Sequence, residues 1–302
     1  SGANVQIPLI HGLYGNRILI LNNGLKHGFQ NWGKDHAPEI DVSSANKITI
    51  IKGAAGVRFG PEAIGGAIVV EPNPLYLKEG FYGEVRSGFQ TNGRGYNSGF
   101  EIGEGKKKWS YFLSGNYTKI GDLNSPDYML TNSGKEEVSL GSGVRYRAKK
   151  FDVKIYYSLV DQNLSLLRAS FFHSANAIRQ AFASEQPDSA YILPFSYAIN
   201  EPNQLTQHHL GKAEVKWLYS DHGNLILRAG KQLNSRKEFD VRRNSNKPII
   251  DLDLGTNDLQ LEWNHPDKYG LDGMLGVQYF YQDNDNNPGT GTTPLIPNYN
   301  TG

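Results

Sequence analysis

The chain has 302 residues, 38% of them hydrophobic, a formal net charge of +1 and no cysteine. Disulfides and thiolate metal sites are therefore excluded, and the near-neutral balance argues against a nucleic-acid partner, which needs a basic excess. No apolar run approaches the roughly 20 residues of a membrane-spanning helix, yet a membrane β-barrel stays open, because only every second residue of its strands meets lipid.

The first 72 residues carry short apolar runs, "PLIHG", "RILILNNG" and "KITIIKG", each ended by Gly or Asn-Gly. They read as short strands of a compact mixed α/β unit. The stretch "NWGKDHAPEIDVSSANK" breaks the pattern and reads as a polar loop with room for a short helix. The run "IIKGAAGVRFGPEAIGGAIVVEP" then places glycines between two apolar strands. Glycine there serves positive φ and close backbone approach. A phosphate-cradling loop is the other use of such a turn, but the Lys-Ser/Thr of a P-loop and the GxGxxG of a dinucleotide fold are both missing.

Beyond Pro74 the pattern changes to long alternating strands. "FDVKIYYSLVDQ" sets Phe151, Val153, Ile155, Tyr157 and Leu159 on one face and Asp152, Lys154, Tyr156 and Ser158 on the other. "WSYFLSGNYT", "KAEVKWLYS" and "LILRAGKQLN" alternate in the same way. Period two over such lengths predicts strands long enough to cross a bilayer at a tilt. About nine strands can be drawn from Gly80 onward. After a first short link their connections alternate, with "GEGKKK", "RAKK" and "SDHG" against long loops near 122–136, 163–207 and 237–256. Short turns at one end and long loops at the other are the pattern of an outer-membrane barrel, with a large soluble β-sandwich as the competing reading. Within the longest loop, Ser174 is placed to cap a helix carrying Ile178 and Phe182 on one face, a candidate lid.

These residues carry a family resemblance. Gly12 and Arg17, Lys52-Gly53, Phe59-Gly60 and Ala63-Ile64-Gly65-Gly66 resemble the second half of the plug domain of TonB-dependent outer-membrane receptors. His11, Ala54, Phe59 and Val69 depart from the commoner residues of that pattern without removing a glycine. The resemblance implies a plug domain at 1–74, and at 75–302 the first part of an antiparallel transmembrane β-barrel with extracellular loops. It also implies an energy-coupling segment ahead of Ser1 and roughly thirteen further strands after Gly302, since such receptors close about 22 strands. The partners implied are the TonB energy-coupling complex, outer-membrane lipid and a small extracellular ligand. No covalent chemistry and no resident cofactor are implied.

For the ligand, Asp35-His36-Ala37 is similar to a segment of zinc-uptake receptors of this family, where the Asp and His ligate metal. Carboxylate and imidazole suit Zn2+. Two ligands do not complete a site, and His208, His173 and His27 are the candidates for the rest. By parity with Lys212 and Glu214, His208 faces the lumen, and His209 faces lipid or its interface. A ferric chelate or haem is the alternative cargo, for which Trp32 and Arg58, with His27, are candidate contacts. A non-transporting structural or adhesive barrel is the alternative of another class.

Overall fold

The computed structural model describes residues 7–30, 37–75, 79–172, 174–220, 223–241, 247–268, 270–287 and 296–302. The N-terminal part is a small four-stranded sheet in the order β2-β1-β4-β3. Its strands are β1 (Ile18–Asn22), β2 (Leu25–Lys26), β3 (Ala45–Ile51) and β4 (Gly66–Pro72). Every residue of β1 is buried, as a continuous apolar run requires of a central strand covered on both faces. It runs parallel to β4 and antiparallel to β2, with Asn23 and Gly24 turning the chain at φ 51° and 79°. That Asn-Gly pair is the residue choice for a tight hairpin with positive φ at both positions. Leu19, Leu21, Ala63 and Ala67 form the core, with Ile51, Phe59 and Val69 packed on it.

The glycine-rich turn joins β3 to β4 by two short 3-10 turns, Gly53–Phe59 and Pro61–Ala63. Gly66 sits at φ 132°, a conformation that side chains oppose. At Gly65 a Cβ would lie 2.8 Å from the Arg17 carbonyl, which accepts the Gly65 N–H at 2.7 Å. Here the backbone itself closes the unit. The expectation of a mixed α/β plug needs correction: among its described residues the helices are short 3-10 turns only, including Val42–Ser44 in the polar loop. The loop's Pro and Ser-rich stretch favours local turns over a propagating helix.

The rest of the chain builds a wall. Its strands are β5 (Gly80–Gln90), β6 (Gly95–Gly105) and β7 (Trp109–Ile120), then the small hairpin β8 (Leu123–Asn124) and β9 (Met129–Leu130). There follow β10 (Lys135–Arg147), β11 (Phe151–Ser165), β12 (Asn203–Leu218), β13 (Asn224–Phe239), β14 (Ile250–Lys268), β15 (Leu271–Asn286) and β16 (Tyr299–Thr301). All but the hairpin join one antiparallel sheet of ten strands, where about nine were expected. The extra strand is β16, whose three residues pair with Gln282–Asn284 at the end of a stretch too rich in Pro, Gly and Asn to read as a strand. The two edges are β5 and β16, so among the described residues the sheet does not close.

The two faces follow the alternation. Trp109, Tyr111, Leu113, Ile155, Tyr157, Trp217 and Leu227 are exposed on the outer face. Ser110, Ser114, Asp152 and Glu214 are buried on the inner one. Aromatics gather at the short-turn ends: Trp109 lies 4.6 Å from Tyr146 and Phe151 stacks on Trp217 at 6.4 Å, while Trp263 Nε1 donates to the Tyr219 hydroxyl at 2.8 Å. Such a band suits the rim of an apolar belt. In the longest loop, the helix α1 (Ala175–Ala183) forms, and its Ala177 N–H donates to the Ser174 hydroxyl at 3.1 Å. Its apolar side chains are not packed down, since Ile178 and Phe182 are exposed, so the helix is present without the packing a closed lid requires.

An outward Ile155 makes a direct test of the facing. Replacing it with Arg is expected to cost about 2–4 kcal/mol, the bilayer-midplane range for a cation on the lipid face. Lys154→Arg, one residue away on the inner face, should be close to neutral. Denaturant titration of the protein folded into vesicles measures both, and equal effects of the two changes would reverse the assignment.

Candidate functional site between plug and wall

The plug segment that follows β1 is held to the inner face of the wall by hydrogen bonds. Lys212 Nζ donates to the Asn23 carbonyl at 2.6 Å, and Gln232 Nε2 donates to the Lys26 carbonyl at 2.8 Å. The Gly28 N–H donates to Gln232 Oε1 at 2.9 Å, and Gln30 Nε2 donates to Asn284 Oδ1 at 2.9 Å. Further along, Asp41 Oδ2 accepts from Asn116 and from the Ser139 hydroxyl. Each wall partner sits at an inward position of its strand, where period two places one polar side chain after another. Gln30, Gln232, Thr256 and Asn284 are all at or below 1% exposure, so this is a closely fitted polar seam.

In that seam three side chains converge. His27 and Glu39 come from the plug, one just before the polar loop and one within it, and His208 comes from β12. They are 5%, 2% and 1% exposed. One donor atom from each lies within 4.8 Å of the other two. The imidazoles of His27 and His208 have ring centroids 4.5 Å apart. Asn234 on β13 stands beside them, its Nδ2 lying 3.2 Å from Glu39 Oε2 and 3.2 Å from His208 Nδ1. Arg236 Nη1 approaches Glu39 Oε1 at 3.6 Å, while Arg236 Nε donates to Glu238 Oε1 at 2.8 Å and its Nη2 to Gln204 Oε1 at 2.7 Å.

Both ring nitrogens of His27, Nε2 of His208 and Oδ1 of Asn234 are buried without a hydrogen-bond partner among the described residues. Each such atom costs free energy on the order of 1–3 kcal/mol relative to water. Burial, and then the neighbouring His208, hold the His27 imidazole well below its ordinary pKa, so it is neutral. Burial also raises the Glu39 carboxyl to about 7, against the opposing pull of Arg236. Two imidazoles and a carboxyl group are the donor types that bind first-row divalent cations.

The structure therefore brings His27 and His208 together. It places Arg58 elsewhere, on the glycine-rich turn, where it lines a cavity of about 830 Å3 together with Lys154, Lys212, Glu214, Arg228 and Glu262. Glu214 lies six positions beyond His208 on β12, roughly 20 Å along the strand. Trp32, Asp35, His36 and His173 lie outside the described residues. Glu39, Asn234 and Arg236 are additions that the sequence reading did not single out. Asn234 is cross-strand from His208, and that pairing needs the register of β12 on β13. For Glu39 the signal was position: an acid within the polar loop, two residues after Ala37.

Residues 1–67 match the family described as the TonB-dependent Receptor Plug Domain. Comparison with curated proteins gives no significant match. Among solved structures, the siderophore receptor PirA from Pseudomonas aeruginosa is similar at TM-score 0.62 and 11% identity, over 94% of this chain and 43% of that one. PirA from Acinetobacter baumannii gives TM-score 0.63 and 16% identity over 89% and 40%. The ferric citrate transporter FecA, in its unliganded form, gives 0.65 and 12% over 93% and 43%. This chain thus spans less than half the length of these structures, and at such identities the likeness is one of fold.

The fit of the seam is open to test at Gly28, where a Cβ would lie 2.3 Å from the Thr256 hydroxyl and 2.9 Å from its Cβ. Gly28→Ala is expected to destabilise the seated plug by about 1–3 kcal/mol, the usual cost of overpacking. Thr256→Gly in the same chain should recover most of it. Thermal melting of the protein reads both, and a silent Gly28→Ala would mean that the segment does not seat here.

Proposed function

Starting from an outer-membrane chain of plug and barrel wall, we propose that it serves TonB-dependent active uptake of a scarce extracellular nutrient, a metal ion such as Zn2+ or a metal chelate. The observation that carries this reading is the polarity of the seam. Plug and wall meet through buried amides, hydroxyls and charges, as in the Gly28–Gln232 and Lys212–Asn23 contacts. Water can replace such partners when the plug shifts, at a modest net cost per hydrogen bond. An apolar seam of the same area would resist movement, because every exposed Å2 is penalised. A seam of this kind fits a plug that is pulled and reseated.

On this reading the ligand binds at the loop side, and the energy-coupling complex acts on the plug from the turn side. Transport then involves no covalent step and no resident cofactor. For Zn2+, Asp35 and His36 supply a carboxylate and an imidazole, with His208 and His173 as further ligands. A ferric chelate is the second reading, favoured by the likeness to receptors whose names give siderophores and ferric citrate as cargo.

Cells expressing the complete receptor, starved of metal and offered radiolabelled Zn2+ or a ferric siderophore, decide among these. Accumulation of one cargo that stops on adding an uncoupler is the expected result. Accumulation indifferent to the uncoupler would indicate a passive pore, and none for either cargo would favour a structural barrel.

A further inference from the structure

We propose that His27, Glu39 and His208 form a binding site for one first-row divalent cation of the Zn2+ class, held across the seam between plug and wall. The proposal deepens the import reading and rests on it for the cation's role as cargo, though not for the existence of the site.

Three observations converge. The first is the donor set, two imidazoles and one carboxylate with donor atoms within 4.8 Å of one another. A tetrahedral Zn2+ with arms of about 2.0–2.1 Å needs neighbouring donors about 3.3 Å apart. The second is the state of the histidines. A buried imidazole ordinarily finds hydrogen-bond partners for its ring nitrogens, yet among the described residues both nitrogens of His27 and Nε2 of His208 have none. Metal coordination takes up such a nitrogen lone pair directly.

The third is charge. Arg236 is the nearest cation to Glu39, but its guanidinium is already turned to Glu238 and Gln204, and it meets Glu39 only at 3.6 Å. Glu238 offsets the charge of Arg236, which leaves the Glu39 carboxylate to balance an added cation. Asn234 supports the set from β13. Its Oδ1 is unpartnered and its amide lies 3.2 Å from His208 Nδ1. Turning the amide over gives up its bond to Glu39 Oε2 and lets Oδ1 accept the Nδ1–H hydrogen bond of His208, which frees Nε2 to ligate and the Glu39 carboxylate to turn to the cation.

The site joins two moving parts. Two donors belong to the plug and one to the wall, so a bound cation fastens the plug to β12. Displacing the plug separates the donors and lowers their hold on the ion. A cation arriving from the loops would be retained while the plug is seated and released as it moves.

The test uses the full-length receptor, purified in detergent and stripped of metal with a chelator, with Co2+ as probe. The wild type is expected to give the intense visible bands of a tetrahedral Co2+ complex and a raised melting temperature when Co2+ is added. His27→Gln, His208→Gln and Glu39→Gln should each weaken Co2+ binding by more than the roughly 10–100-fold cost of losing a ligand's supporting partner. Glu39→Gln keeps the size of the side chain, so it guards against misfolding, and melting curves in metal-free buffer check all three. A pale octahedral spectrum in the wild type, as from water-filled coordination, overturns the site. So does Co2+ affinity unchanged in the three folded variants. The import reading has its own readout: a Co2+ site without cellular Zn2+ accumulation keeps the site and removes the cargo role. Zn2+ accumulation with Co2+ affinity unchanged in the variants removes the site and keeps import.

Discussion

The wall separates two media, and each residue along its strands has to suit one of them. Backbone groups in an apolar medium must be paired within the protein, which the antiparallel ladder does for every strand between β5 and β16. Side chains then carry the difference between the faces. Ile155 and Leu227 are left exposed outside, while Asp152, Glu214 and Asn234 are buried inside. One residue of slip would exchange the two sets, so the register is strongly specified. The polar seam, the histidine cluster and the charged cavity all sit on the inner set.

A polar inner face has to be satisfied, and the plug does much of this. Its chain offers carbonyls and N–H groups at Asn23, Lys26 and Gly28 to Lys212 and Gln232. The fit is close in places: Leu25 is fully buried, and a Cβ on Gly230 would meet it at 2.3 Å. Gly28 and Gly230 thus face one another's domain, each allowing the opposite chain to approach. The histidine cluster is an exception within this well-paired seam, because three of its four ring nitrogens have no partner among the described residues. Unpaired buried polar atoms concentrate at functional sites, since the fold tolerates their cost only where another use maintains them.

Charge is organised differently near the short turns. Glu214 lies at the centre, with Lys154 at 2.9 Å, Lys212 at 3.2 Å and Arg228 at 3.0 Å, and Arg228 reaches on to Glu262 at 3.0 Å. The residues come from four consecutive strands, β11 to β14. Burying isolated charges is expensive, and a network in which each charge meets an opposite one keeps that cost down. Lys212 belongs to the network and to the seam, because it also holds the Asn23 carbonyl. A shift of the plug at Asn23 therefore reaches the charges lining the cavity beneath it.

The sequence by itself determined the class of wall, the facing of its strands and the position of the short turns, because period two is a local property that survives any packing. It also determined the glycine-rich turn, where Gly65 and Gly66 are needed by the backbone, and the cap at Ser174. It led to His27 and His208 as candidates to complete a zinc site with Asp35 and His36, not to a direct meeting of the two rings. Pairing them was beyond it, since His27 lies on a plug segment and His208 on a wall strand, and nothing local sets the distance between them. Glu39 and Asn234 were hidden for the same reason: one lies within a polar loop without periodicity, and the other meets His208 only through the register of two strands. The return of Tyr299–Thr301 to β15 was likewise decided by a long-range pairing that its turn-rich sequence opposes. Local alternation fixes which way a residue faces, and only the seating of the plug fixes what it faces.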